Sequence, residues 1–356
     1  MKTRLRRAGG LLAVLSLTAV LAIADEHNRD ILVVTSTNST SNDVIVFKLN
    51  AEGTPWLSLA GMSPTGGAGG AGGNAGAVQF RDQLGAVANY GSNNVTQLER
   101  DGDSIRVVGT IKLAANCVNP VSVALTGSHL YVAGGNCAES HAWPSGRVDG
   151  AVVALPDTSA AQIAAGQSWA AVTLKSGNGS VLQLQLADDG DLNGTSVLVP
   201  LALGSGATPL GAAFWGDILG FNPAHVADSF ALMDKSRDIF PVLGPQPAYP
   251  SNAPCWLAKG PGNIWYSGNS PGQAVSIFFS DAQGGAFYKS VSLPGVPTDI
   301  TVSADQKWLA VIYTASADGL ARVAVFAVDS YGDLSPVATS SPVGGVTTFN
   351  GVAISQ

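Results

Sequence analysis

The sequence predicts an all-β protein, a seven-bladed β-propeller of four-stranded antiparallel blades closed by the C-terminal strand joining the N-terminal blade. Three observations predict it. Beyond the first 24 residues few stretches hold a 3.6-residue apolar period, while short β-rich runs are punctuated by Gly, Asn, Asp and Pro. Candidate ends of second strands fall at Asn38, Asn89, Asn136, Asn178, Asn222, Asn269 and Ser316, at intervals of roughly 42 to 51 residues, the size of one blade. Finally, Asp30 to Asn38 reads as a second strand with no first, and Phe349 to Gln356 as a first strand with no second. Joining them completes a blade and leaves no open sheet edge.

The leader comes first. Lys2, Arg4, Arg6 and Arg7 precede an apolar run from Leu11 to Ile23, and Ala22-Ile23-Ala24 supplies the small-x-small pattern of a cleavage site. A membrane anchor is the rival reading, but the run falls short of the roughly 20 apolar residues that a span needs. The expected organisation is a signal peptide over 1–24 and a single propeller over 25–356, in a periplasm or secreted. Whether the Arg6-Arg7 pair marks the twin-arginine route stays open.

The formal net charge of −7 becomes more negative once the basic leader is removed. An acidic chain without a Lys/Arg cluster has no electrostatic footprint for nucleic acid and gains nothing from an anionic membrane surface. Charged residues are 12% of the chain and glycines number 43, a balance suited to buried strands joined by tight turns. The expected partner is a small-molecule ligand or substrate, and the chain is expected to be monomeric.

The blades follow in order. The clearest unit runs from Ala77 to Ile111, and the next contains the hairpin Pro120 to Asn136 followed by GAVVALP. Later hairpins span Pro209 to Asn222, Cys255 to Asn269 and Asp299 to Tyr313. Turns between third and fourth strands repeat an Asp or Asn beside Gly, as in QLERDGDSIRV and FAVDSYGDLSP, because Gly tolerates the positive φ of such hairpins. In VIVFKL, Ile45 and Phe47 point one way and Val44 and Val46 the other, so both faces of the blade are expected to pack on neighbours.

Within ANYGSNNVTQLERDGDSIR, Ala88 to Arg106, the chain resembles the seven-bladed lactonase propellers, the family of bacterial 6-phosphogluconolactonase and fungal carboxymuconate lactonizing enzyme. The glycine-rich approach GGAGGAGGNAGAVQF, Gly66 to Phe80, sits where that family has one. The resemblance implies the fold over the whole chain beyond the leader, and a lactone substrate at the channel face. Where the family carries basic residues in its fourth and fifth blades, this chain has Ser180, Pro209 and Leu210, which puts anionic phosphogluconate and carboxymuconate substrates in doubt.

Candidate chemistry centres on Gly134 to Gly150, read as an insertion after a second strand and therefore at the channel face. It brings together Glu139 or His141 as general base, Arg147 as anion holder and Trp143 as an apolar wall. A polar surface loop would read the same way. Asn89 and Tyr90, at the end of a second strand, and His225, just after another, are candidate binding residues on that face. His225 has Asp228 nearby, but Asn222-Pro223 reads equally as the cap of a short helical turn. His129, in a tight turn, reads as structural and on the opposite face, and His27 lies in the N-terminal tail.

No metal or cofactor is expected: four dispersed His and three Cys offer no ligand spacing, and the Gly66–Gly76 run reads as a flexible loop over the channel. Cys117 and Cys137 flank a hairpin that turns at Thr126 to His129, so antiparallel register places them opposite each other and predicts a disulfide in an oxidising compartment. Cys255 is left over, either a nucleophile at the channel face or an inert buried thiol. Two functions follow: a lactonase-like hydrolase or cycloisomerase using no metal, or a non-catalytic propeller binding a small ligand or a protein at the channel face.

Overall fold

The computed structural model describes residues 30–50, 54–176, 179–201, 207–224, 230–242, 253–281 and 284–356. Residues 1–29, Asn178, His225 and Asp228 lie outside them. The described strands form seven four-stranded antiparallel sheets, one per blade. Among the described residues the one helical element is a single turn, Tyr90–Ser92, and no helix is long and apolar enough to cross a membrane.

The ring closes as the two lone strands require. Asn350–Ser355 is the innermost strand of blade 1, antiparallel to Ile31–Ser36, with Val33 opposite Ile354 and Val34 opposite Ala353. Asp43–Asn50 and Trp56–Pro64 complete that sheet outward. Blades 2 to 7 each run from an innermost first strand to an outermost fourth, and every innermost strand touches the next around a closed circle.

Strand alternation builds the core. Ile45 and Phe47 pack with Ala310, Ile312, Val323 and Val325 of blade 7, whereas Val44 and Val46 pack with Val78, Val87 and Leu98 of blade 2. One strand thus glues its blade to both neighbours, each buried side chain contributing about 1.5–3 kcal/mol.

Blade 3 departs from expectation. Residues Cys137–Ala142 are its third strand, paired with His129–Ala133 on one side and Val148–Ala154 on the other. The segment read as a channel-face insertion is therefore a strand and a hairpin turn, and GAVVALP belongs to the fourth strand. The turn over 143–147 lies on the face of the first-to-second strand turns, where the Trp143 N–H donates to the Ser128 carbonyl at 2.7 Å. Asn222 and Pro223 are also strand residues, within Ile218–Ala224, and cap no helix.

Candidate functional site

First strands descend from the face carrying the fourth-to-first connections to the face of the tight turns. Their inner surfaces enclose a central cavity of about 220 Å³, lined by blades 3 to 7 together with Gly76 and Gln79 ahead of and within the first strand of blade 2. At one end stand Gly76, Gln162 and Asp299; at the other are the strand ends Leu125, Ala165, Lys259 and Val302.

The glycine-rich segment closes the first end. Gly69 N–H donates to Ser39, Gly70 N–H to Asn38 Oδ1, Asn74 Nδ2 to Val121, and Ala75 N–H to Ala161. Lys175 Nζ donates to the Gly73 carbonyl at 2.9 Å. The segment lies over the channel as expected, but it is fastened to blades 1, 3 and 4 rather than free.

Asp299 is the chemical centre of the cavity. It sits on the innermost strand of blade 7, at a bulge between Pro297 and Asp299, and is 3% exposed. Gly76 N–H donates to its Oδ2 and Ile300 N–H to its Oδ1, both at 2.9 Å, and the Val352 backbone contributes a third bond. Burial pushes its pKa up to about 7, and these backbone bonds oppose the rise. Gly76 adopts φ 67°, and a Cβ there would lie 3.1 Å from Ser122 Oγ, 3.2 Å from Gln162 Nε2 and 3.5 Å from Gln79 Nε2. Glycine at this position lets three polar side chains converge beside the carboxyl. Gln162 Oε1 accepts from Ala212 N–H at 2.6 Å, which orients the amide, and its Nε2 has no partner among the described residues.

Lys259 marks the other end. Its Nζ donates to the Gly260 and Gly262 carbonyls at 2.7 and 2.5 Å and lies 5.2 Å from the Trp215 ring and 5.3 Å from the Trp265 ring. Burial lowers its pKa to about 8.

The residues singled out in the sequence fall elsewhere. Glu139 and His141 do meet, with His141 Nε2 2.8 Å from Glu139 Oε1, but both are completely buried between blades 2 and 3. Glu139 Oε2 also accepts from Ala114 N–H at 3.0 Å, and His141 Nδ1 faces the Gly146 carbonyl at 3.0 Å. Arg147 stands apart on the outer turn, 75% exposed and paired with Asp149 at 3.1 Å. Trp143 is half-buried against the blade 2–3 core. The expected Glu–His–Arg convergence on the channel face is thus replaced by a buried pair and a solvated arginine.

Asn89 is fully buried with its amide saturated: Nδ2 donates to Asn94 Oδ1 and Thr96 Oγ1, while Oδ1 accepts from Asn42 and Thr65. It ties blade 1 to blade 2. Tyr90 is half-buried beside it, packed on the blade 3–4 core. Cys255 is buried, its Sγ donates to the Ala253 carbonyl at 3.1 Å, and burial raises its pKa, so the thiolate that a nucleophile needs is disfavoured. The Cys117–Cys137 disulfide is present, with Cα atoms 5.4 Å apart.

Asp299, Gln162 and Gln79 are site residues beyond those expected from the sequence. A signal existed for the first: Asp299 places a carboxylate in the innermost strand, an element otherwise built of apolar and small residues.

No protein-family model matches the chain, and no curated protein matches it. Among solved structures it is similar to the periplasmic gluconolactonase of Pseudomonas aeruginosa, with a TM-score of 0.66, 13% identity and coverage of 92% of this chain and 99% of that one. A protein from Lactobacillus plantarum matches with a TM-score of 0.66, 15% identity and the same coverage. A putative 6-phosphogluconolactonase from Bacteroides fragilis gives a TM-score of 0.63, 13% identity and coverage of 92% and 99%. At this identity the likeness is one of fold: the chain shares the propeller architecture of these proteins, here with seven blades.

Proposed function

We propose that the protein is an exported hydrolase that opens a small lactone in its central channel, with Asp299 as the general base. The observation that carries this reading is a carboxyl buried in the wall of the cavity, its pKa pushed up by burial to about 7, where a base is both ionised and strong enough to act. The Asp299 carboxylate takes a proton from water as the water oxygen attacks the lactone carbonyl carbon. Gln162 Nε2, which has donors to spare, stabilises the developing oxyanion, as does Gln79. The ring oxygen leaves with the proton that Asp299 acquired. Export is supported by the leader-like N-terminus and by the disulfide, which persists in oxidising compartments.

The cavity volume limits the substrate to a small ring, below the roughly 300–1,000 Å³ of drug-sized sites. The second reading, a propeller that binds a small ligand without turning it over, is favoured by Ser180, Pro209 and Leu210 standing where the lactonase-like propellers have basic residues. A lactone panel separates the two. Wild type is expected to hydrolyse at least one small lactone, Asp299→Asn to lose activity by about 100-fold or more, and His141→Ala to retain it. Binding with no turnover of any lactone favours the second reading.

A further inference from the structure

On the face opposite the glycine-rich segment, the turn joining the first two strands of blade 3 meets the hairpin turn between the third and fourth strands of blade 4. Three side chains form a relay there. Ser128 Oγ lies 2.8 Å from His129 Nδ1, and His129 Nε2 lies 2.8 Å from Asp191 Oδ1. Ser128 is exposed, whereas the His129 and Asp191 side chains are mostly buried, at 8% and 18% exposed. With the proton on Nε2, the ring donates to the carboxylate and turns the Nδ1 lone pair towards the hydroxyl, the arrangement that a base needs to activate a serine.

The surroundings hold this geometry. Thr126 N–H donates to the His129 carbonyl at 2.9 Å, and His129 N–H to Thr126 Oγ1 at 3.1 Å. The imidazole stacks on Tyr131, 5.8 Å away, whose hydroxyl donates to Gly190 at 2.6 Å. Gly190 has φ 99°, and a Cβ there would stand 2.8 Å from His129 Nδ1. A side chain at that position would push the ring off the serine.

Two further groups face the turn. The amides of Gly127 and Ser128 donate to nothing among the described residues. Arg81 Nη2 lies 4.0 Å from where a Gly127 Cβ would be, and its guanidinium forms no ion pair or hydrogen bond among the described residues. A nucleophile relay beside an uncommitted cation suits an ester whose acyl group carries a negative charge.

We propose that Ser128, His129 and Asp191 form a second, surface-facing acyl-transfer site for esters with an anionic acyl group, with Arg81 as the anion holder. Ser128 Oγ bonds to the acyl carbon as its proton passes to His129 Nδ1. The tetrahedral adduct expels the alcohol, which takes that proton. Water then attacks the acyl-serine, gives its proton to Nδ1, and the acid departs as the serine regains its hydrogen.

The test uses the full chain with a fluorophosphonate, which phosphonylates an activated serine with loss of fluoride, followed by peptide mass mapping. Labelling is expected at Ser128 and is expected to slow by at least about 100-fold in His129→Gln, the low end of a base's contribution, and to slow measurably in Asp191→Asn. Turnover of 4-nitrophenyl glutarate, an anionic acyl ester, should fall in Arg81→Gln while 4-nitrophenyl acetate is unaffected. Labelling that misses Ser128, or that is as fast in His129→Gln and in the urea-unfolded chain as in the native protein, overturns the proposal. Equal loss of both esters in Arg81→Gln overturns the substrate class.

Discussion

Asp299 shows how one residue ties pH to both stability and rate. Its folded pKa, about 7, stands above the ordinary carboxyl value of about 3.9, so the folded state keeps a proton that the unfolded chain releases. The contribution of this group to stability is therefore fully present below about pH 4 and is lost as pH rises to about 7. Wild type should lose melting temperature relative to Asp299→Ala across that window, and calorimetry of both proteins at several pH values checks it. Hydrolysis should change the other way, rising through about pH 7 as the base ionises, with that limb absent in Asp299→Asn. A parallel pH response in wild type and both variants would remove Asp299 from either role. The carboxylate was visible in the sequence at the head of a predicted first strand, but its meaning depends on where that strand sits. Only the closed ring turns a first strand into a channel wall.

At the scale of the element, legibility depended on whether a strand is apolar. The alternation of Val44 to Phe47 forecast packing on both neighbouring blades, and that is what Asp43–Asn50 does. The third strand of blade 3 was misread because Cys137, Glu139 and His141 look like loop residues. Their polarity is neutralised within the fold: Glu139 by the distant Ala114 N–H and by His141 on its own strand, and Cys137 by the distant Cys117. The disulfide itself was legible, because the hairpin between the two cysteines sets their register. It closes a loop with a sequence separation of 20, and removing it in Cys117→Ala/Cys137→Ala should cost about 3 kcal/mol. Denaturant melts should show a lower midpoint and, because the unfolded chain expands without the cross-link, a somewhat steeper slope; a midpoint that does not move would mean the bridge adds nothing to stability.

For the whole molecule, the ring depends on eight residues at its end. Phe349 and every residue of Asn350–Ser355 are buried, and Thr35 and Ser36 hydroxyls donate to the Gly351 and Asn350 carbonyls across the junction. The side chains of Phe349, Val352 and Ile354 alone bury enough apolar surface, at about 1.5–3 kcal/mol each, to match the net stability of many domains. Deleting 349–356 is expected to abolish the cooperative thermal transition, and a synthetic peptide of that segment to restore part of it. A sharp melt in the truncated chain would mean that six sheets and a remnant suffice.

The same junction imposes a timetable on synthesis. A ribosome delivers the chain from the N-terminus, so Ile31–Ser36 emerges early and waits through the making of six further sheets before its partner appears. Throughout that interval its backbone donors and acceptors remain open to any other strand. The ring can close only once Asn350–Ser355 has been made, so the first strand of the chain spends most of synthesis as an open edge.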